Sequence, residues 1–258
     1  TSEYAMVIGD MHFPCHDNNT LEIFLETVRE LQPSTIVLNG DTVDILAVSN
    51  YPKDIRHNYS LQDEREAYHD FLYSLLEVSG DAKIYETNAN HSGNGHEGRW
   101  WRYLSQRLGE LASLEDIREK LSYENVFLGQ FQEDVETVDY VQLTEDFVIL
   151  HGTEVRKHGG ASARGHIDKY FVSLMHNHTH RFGFTAQRIP GIGDRPDKQI
   201  YGWENGCACS LNPIYANRPN WQNGFSIVGL DGENFSVEQV MVNDNRANIA
   251  TLGKTMYV

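Results

Sequence analysis

The stretch Ile36-Val37-Leu38-Asn39-Gly40-Asp41-Thr42-Val43-Asp44 limits what this chain can become more than any other. Its opening residues are a short apolar run behind Pro33 and Ser34, the pattern of a buried strand. Asn39-Gly40 ends the run, and Gly40 gives the backbone the freedom to break sharply into a loop. A carboxylate, Asp41, follows at once. Upstream, Ala5-Met6-Val7-Ile8 is a second apolar strand, stopped by Gly9-Asp10-Met11-His12. Between the two, residues 21–31 read as a helix, with Leu21, Phe24, Leu25, Val28 and Leu31 on one face. Asn18, Asn19 and Thr20 are its capping candidates, and Pro33 lies beyond its end. Strand, helix and strand in this order predict two adjacent parallel strands. Asp10, His12 and Asp41 then share one sheet edge, where open α/β sheets form their ligand crevice.

The chain continues in the same grammar to about residue 125. Residues 60–78 read as a helix opened by Ser60 with Asp63 three places on, striped by Phe71, Leu72, Leu75 and Leu76, and stopped at Gly80. Residues 82–86 form a third strand that runs into Thr87-Asn88-Ala89-Asn90-His91, and residues 99–121 are helical with a break near Gly109. Beyond that point strands alone are expected, over 135–143, 147–150, 170–174, 182–187, 202–211 and 225–230, with Asp231-Gly232 as a hairpin turn. A helix-bearing half followed by a strand-rich half suggests two sheets packed face to face with helices outside. No repeat or linker interrupts residues 1–258, which read as one domain.

The chain's net charge is −16, which weighs against a broad duplex-DNA surface, since such binding depends on Lys and Arg neutralising phosphates. Bound divalent ions can reverse that sign locally, so a phosphorylated substrate stays open. No apolar run is long enough to span a bilayer and no signal peptide is recognisable, so no membrane association is expected. Cys15, Cys207 and Cys209 make no disulfide framework. Cys207 and Cys209 read as small buried apolar residues, and a reducing cytoplasm is the expected location.

Five polar clusters end or follow expected strands: Asp10-x-His12, Asp41, Asn90-His91, His151 and His178-x-His180. In an extended backbone, residues two apart point the same way, so each x-spaced pair can face one ion. Carboxylate, amide oxygen and neutral imidazole together are the ligand types of Zn, Fe or Mn. The remaining histidines, His16, His57, His69, His158, His166 and His176, read as surface or supporting groups. Arg99-Trp100-Trp101-Arg102 reads as a helix turning its aromatics inward, with a base-stacking platform carrying phosphate-binding arginines as the alternative. Arg156, Lys157 and Arg164 form a local basic stretch after His151, placed to meet a substrate's non-reacting part.

In order, Gly9-Asp10-Met11-His12, Gly40-Asp41-Thr42-Val43-Asp44, Ala89-Asn90-His91-Ser92, His151-Gly152 and Asn177-His178-Thr179-His180 resemble the motif set of the calcineurin-like metallophosphoesterases. The small stand-alone enzymes of bacteria and phages are the most similar in layout. The resemblance implies a four-layered α/β/β/α sandwich of two mixed sheets and two divalent metal ions, Mn foremost, with Zn or Fe as alternatives. It gives one metal to Asp10, His12, Asp41 and His180, and the other to Asp41, Asn90, His151 and His178. Asp41 bridges, Asp44 orients the ligands, and a metal-bridging hydroxide attacks phosphorus in line. His91 donates a proton to the leaving oxygen or holds the transition state. Ala89, Ser92 and Asn177 depart from the Gly, acidic residue and Gly of the pattern. Gly93-Asn94-Gly95-His96-Glu97 is a disrupted second copy of the third motif, and Asn90-His91 is preferred for its distance from the strand of residues 82–86.

The expected activity is thus phosphoester hydrolysis, a phosphodiesterase before a phosphatase, on a nucleotide-like ester or single-stranded nucleic acid. A DNA exo- or endonuclease of the repair type shares these motifs but calls for a basic groove. A metal-free interaction scaffold is the rival of another class, and it would be expected to have lost ligands.

Overall fold

The computed structural model describes residues 3–49, 58–93, 98–194, 196–213 and 218–258. Within them the first half comprises β1 (Glu3–Ile8), α1 (Asn18–Leu31), β2 (Thr35–Leu38), α2 (Leu61–Ser79), β3 (Lys83–Thr87), α3 (Arg99–Leu108) and α4 (Glu115–Lys120). The second half comprises β4 (Val135–Val138), β5 (Val141–Thr144), β6 (Phe147–Leu150), α5 (Ala161–Tyr170), β7 (Ser173–His176), β8 (Phe182–Ile189), β9 (Lys198–Asn205), β10 (Gly224–Asp231), β11 (Asn234–Asn243), β12 (Arg246–Ile249) and β13 (Lys254–Tyr257).

Two mixed sheets result. One has the order β13-β12-β11-β10-β1-β2-β3-β4, the other β5-β6-β7-β9-β8. β1, β2, β3 and β4 run parallel, as do β6, β7 and β9. The layering follows from strand alternation, because successive side chains leave a strand on opposite faces. Met6 and Ile8 of β1 and Ile36 and Leu38 of β2 join Ile23, Phe24, Phe71 and Leu75 in the core beneath α1 and α2. Their neighbours Ala5, Val7 and Val37 point the other way and meet Phe147, Ile149 and Met175 of the second sheet. Leu174 and Ile200 on that sheet's far face pack against Ile167 of α5. Three cores thus separate four layers, helices, sheet, sheet and helix, and no helix among the described residues is long and apolar enough to cross a membrane.

The β-α-β unit forms as its sequence directs, with β1 and β2 paired in parallel from Ala5–Thr35 to Ile8–Leu38. Ser60 opens α2 with a reciprocal capping box to Asp63, and Asp231 and Asn234 close the β10–β11 hairpin. Several details differ: the expected strand over 135–143 is divided into β4 and β5, and that over 202–211 is β9, which ends at Asn205. α1 starts earlier than expected, because Asp17 is the cap and its carboxylate accepts from Thr20 N at 2.8 Å. The expected strand over 170–174 is instead the end of α5 and the start of β7. α5 itself escapes a local reading because its cap is remote: Glu204 of β9 accepts from Ser162 N at 3.0 Å. Residues His57, Asn94, Gly95, His96 and Glu97 lie outside the described residues.

A buried polar knot fixes the loop after β2. Glu86 of β3 is fully buried and accepts from the hydroxyls of Thr42, Tyr68 (2.8 Å) and Tyr123 (2.8 Å). Burial outweighs these hydrogen bonds and pushes its pKa up to about 7. The fold therefore favours the protonated acid, whereas the unfolded chain ionises near the ordinary value of 4.5. Stability contributed by Glu86 should be complete below that value and fall as pH rises to about 7. Against Glu86→Gln, which cannot ionise, the native chain should lose on the order of 3 kcal/mol across this window. Urea unfolding at stepped pH measures it, and a pH-independent difference would contradict it.

Candidate metal centre

Five loops, each following a parallel strand, converge at one end of the two sheets. The loops after β1 and β2 are zipped together: Asp10 N donates to Gly40 O at 3.0 Å, His12 N to Asp41 O at 2.9 Å and Phe13 N to Thr42 O at 2.8 Å. The extended backbone expected for the x-spaced pairs is not what forms. Asp10 and His12 have φ of 50° and 51°, His178 and His180 have 71° and 58°, and Asp41 has 48°. Left-handed conformations cost a non-glycine residue roughly 1–3 kcal/mol and persist where surroundings over-determine them. The side chains converge because the chain coils tightly at each strand end, a geometry that residue spacing alone does not encode.

Gly40 and His151 depend on each other. Gly40 has φ +74°, and a Cβ there would lie 2.6 Å from His151 Nδ1. That nitrogen donates to Asn39 O at 2.9 Å, which fixes the ring and turns Nε2 inward. Nε2 stands 3.1 Å from Asn90 Oδ1 and 3.4 Å from Asp41 Oδ2. On the other side of Asp41, His12 Nε2 lies 3.8 Å from Oδ2. His180 Nε2 is 3.2 Å from His12 Nε2 and 3.4 Å from Asp10 Oδ1.

The donors fall into two groups whose ligand atoms lie within 4.8 Å of one another: Asp10, His12 and His180, and Asp41, His151 and His178. This chemistry fits divalent cations. Asp10 Oδ1 is buried without a hydrogen-bond partner, which is costly for a carboxylate unless a cation meets it. Burial disfavours a charged ring at His151, but Asp41 and then Asp10 outweigh it and push its pKa up to about 9. The two carboxylates thus draw positive charge even onto an enclosed imidazole. At His178 burial prevails, helped by repulsion from His151, and its pKa falls to about 4, leaving a neutral ligand.

Asn177, the departure from the Gly of the fifth motif, is a structural hub. It is fully buried, its Nδ2 donates to Asp10 Oδ2 (3.3 Å), Asn205 O (3.2 Å) and Gly206 O (3.1 Å), and its Oδ1 accepts from Asn39 Nδ2 at 2.8 Å. A Cβ at Gly9 would sit 2.7 Å from Asn177 Cγ, so the amide occupies space that glycine leaves. Ala89 packs toward Gly40, and Ser92 is buried where the motif has an acid.

His91 N donates to Asp41 Oδ1 at 2.9 Å, and the ring lies edge-on to His12, with centroids 4.8 Å apart. His91 Nδ1 donates to Asp44 Oδ1 at 2.7 Å, while Arg99 donates to His91 Nε2 at 3.0 Å and to Asp44 Oδ1 at 3.0 Å. These contacts with His91, together with His12, hold the buried Asp44 carboxyl far below the usual range. Burial, in turn, lowers the pKa of His91.

The sequence alternative offers Arg99 as a phosphate-binding arginine but does not foresee its contacts with His91 and Asp44. Trp100 of the same run is buried and donates to Leu121 O, whereas Trp101 is half-buried against Arg118, so one of the two tryptophans turns inward. Two cavities open onto the donors. One of about 310 Å³ is lined by Asn90, His91, Arg99, Arg102 and Tyr103; one of about 480 Å³ includes Asn90, Arg102, Asp139, His151, Tyr170 and His178. Asn90 and Arg102 belong to both. Arg156, Lys157 and Arg164 line neither: Arg156 pairs with Glu154 at 2.8 Å and Arg164 with Asp168 at 3.0 Å. The basic stretch is thus close to His151 in sequence but turned to local carboxylates.

No family model matches the chain. It is similar to the Gene 54 protein of Mycobacterium phage L5, 22% identical over 262 residues that cover 96% of this chain and 97% of that protein. The Gene 54 protein of Mycobacterium phage D29 is 23% identical over 261 residues, with the same coverage of 96% and 97%. Among solved structures, wild-type Vps29 of Entamoeba histolytica complexed with zinc aligns at a TM-score of 0.46 and 12% identity, over 99% of this chain and 98% of that one. A metallophosphoesterase from Sphaerobacter thermophilus aligns at 0.41 and 10% identity, over 94% and 89% of the two chains.

Proposed function

We propose that this chain is a dinuclear metal-dependent phosphoester hydrolase that favours phosphodiesters of the nucleotide type. One observation carries the reading: Asp41 stands between two donor groups, 3.8 Å from His12 and 3.4 Å from His151. Asp10, His12, Asp41 and His180 would hold one cation, and Asp41, Asn90, His151 and His178 the other. Divalent cations in such a pair polarise a phosphoryl oxygen, activate water and offset transition-state charge.

The chain's own groups supply the rest. Asp44 keeps the His91 proton on Nδ1 and aims Nε2 at the cavity shared with Arg99. An incoming phosphoryl oxygen draws the Arg99 guanidinium away, which frees His91 Nε2 to take up a proton from solvent and pass it to the leaving oxygen. The Arg102 side chain has no hydrogen-bond or ion-pair partner among the described residues and lines both cavities, so it serves as the anion contact in place of Arg156, Lys157 and Arg164. A cavity on either side of Asn90 leaves room for both ester arms of a diester. The scaffold alternative expects lost donors, and all seven are present here.

Chelated protein resupplied with manganese should hydrolyse bis(p-nitrophenyl) phosphate faster than p-nitrophenyl phosphate. Asp41→Asn should lose metal from both positions and His12→Ala mainly from one, read by metal counting. An Asp41 variant that keeps a full complement would remove the bridge from the proposal.

His91→Ala should keep its metals. It should lose about 10²–10⁴-fold in rate on an alkyl ester, whose leaving oxygen needs a proton, and far less on a nitrophenyl ester. Equal losses on both would leave His91 an electrostatic role only. Arg102→Ala should raise KM for the diester more than it lowers kcat, as for a group that binds ground and transition states alike. An unchanged KM would take Arg102 out of the substrate's path.

A further inference from the structure

His180 has two faces, and the donor group with Asp10 and His12 uses one of them. Its Nε2 points to those residues, while Nδ1 lies 3.7 Å from Cys209 Sγ. Cys207 and Cys209 flank Ala208 on the segment after β9, and their sulfurs and a His180 ring nitrogen all lie within 4.8 Å of one another. The set is enclosed: Cys207 is 0% exposed, Cys209 3% and His180 7%, with the Trp221 ring 4.2 Å from His180. Both cysteines are free thiols. Two sulfurs with one imidazole nitrogen form a donor set unlike the other three among the described residues, each of which contains a carboxylate, and it discriminates against hard cations.

We propose that Cys207, Cys209 and Nδ1 of His180 form a third site, for a thiophilic cation of the zinc, cadmium or copper(I) class, that competes with the Asp10–His12 site for His180. The competition follows from imidazole chemistry. A neutral ring has one lone-pair nitrogen at a time. When Nε2 serves the Asp10 and His12 group, the proton is on Nδ1 and faces the Cys209 sulfur. When a thiophilic divalent cation binds, two thiol protons leave to solvent, the ring proton moves to Nε2, and Nδ1 becomes the ligand. Nε2–H then points at Asp10 Oδ1 and can no longer coordinate. Three protein ligands leave a fourth position for water, a coordination number zinc and cadmium accept. Such a site would make this protein sensitive to thiophilic metals through one shared histidine. The inference rests on the metal-binding half of the reading above and is independent of phosphoester chemistry.

The test loads the full chain with manganese, adds cadmium in single equivalents, and follows thiolate-to-cadmium charge-transfer absorption together with manganese release by electron paramagnetic resonance. The absorption should appear as about one manganese per chain is set free, and both changes should vanish in folded Cys207→Ala and Cys209→Ala. The 113-cadmium resonance of the native chain should report two sulfur ligands, a readout that needs no variant. Manganese release without the absorption band, a band that survives both substitutions, a resonance with fewer sulfurs, or a band with manganese fully retained would each overturn the proposal. Failure to bind manganese at all would instead fault the dinuclear reading, and the band would still decide whether the thiol site exists.

Discussion

Two carboxylates buried side by side set the terms for the rest of this molecule. Asp10 and Asp41 are withdrawn from water, and each makes ionisation of the other harder. Uncompensated, such a pair would be among the most expensive features a protein could bury. The chain meets the cost with aimed dipoles and imidazoles: His178 N and Asn177 Nδ2 donate to Asp10, and His91 N donates to Asp41. Those donors come from two loops, after β3 and after β7, and Asp10 and Asp41 sit on two more, so each loop must stop at one place. The left-handed turns at the strand ends, the glycine at position 40 and the inner lattice of Asn39, Asn177 and Asn205 are all consequences of that demand.

The same demand explains the architecture. Asp10, His12, Asp41 and Asn90 follow strands of the larger sheet, while His151, His178 and His180 follow strands of the smaller one. The site therefore exists only where the two sheets are stacked in one register, and the shared apolar layer of Ala5, Val7, Val37, Phe147, Ile149 and Met175 holds them there. Packing and chemistry are coupled through β1 and β2, whose alternate residues face different cores while their last residues lead into the donor loops.

Much of this was legible in the sequence because it depends on local pattern. Apolar runs, the helix between them, the Ser60–Asp63 cap and the Asp231-Gly232 turn are read over a few residues. What escaped the reading depends on contacts distant in sequence. α5 carries little apolar periodicity and takes its cap from Glu204. Arg99 directly precedes Trp100 on α3, and neighbours on a helix face different ways, so Arg99 meets His91 while Trp100 enters the core. Arg156 and Arg164 looked available because their partners, Glu154 and Asp168, are ordinary acids of an acidic chain. Donor identity is written in residue types, but their coiled approach is not, since spacing in an extended chain suggests the same convergence by another geometry.

Gly9 and Asn177 lie far apart in the chain but share one small volume, since the amide group fills what would be the glycine's side-chain space. Neither position is free to vary alone. A larger residue at 9 would evict the amide that steadies Asp10, and a smaller one at 177 would leave a polar void against Asn39. In any lineage descended from this sequence the two sites should therefore change in lockstep, one growing only as the other shrinks.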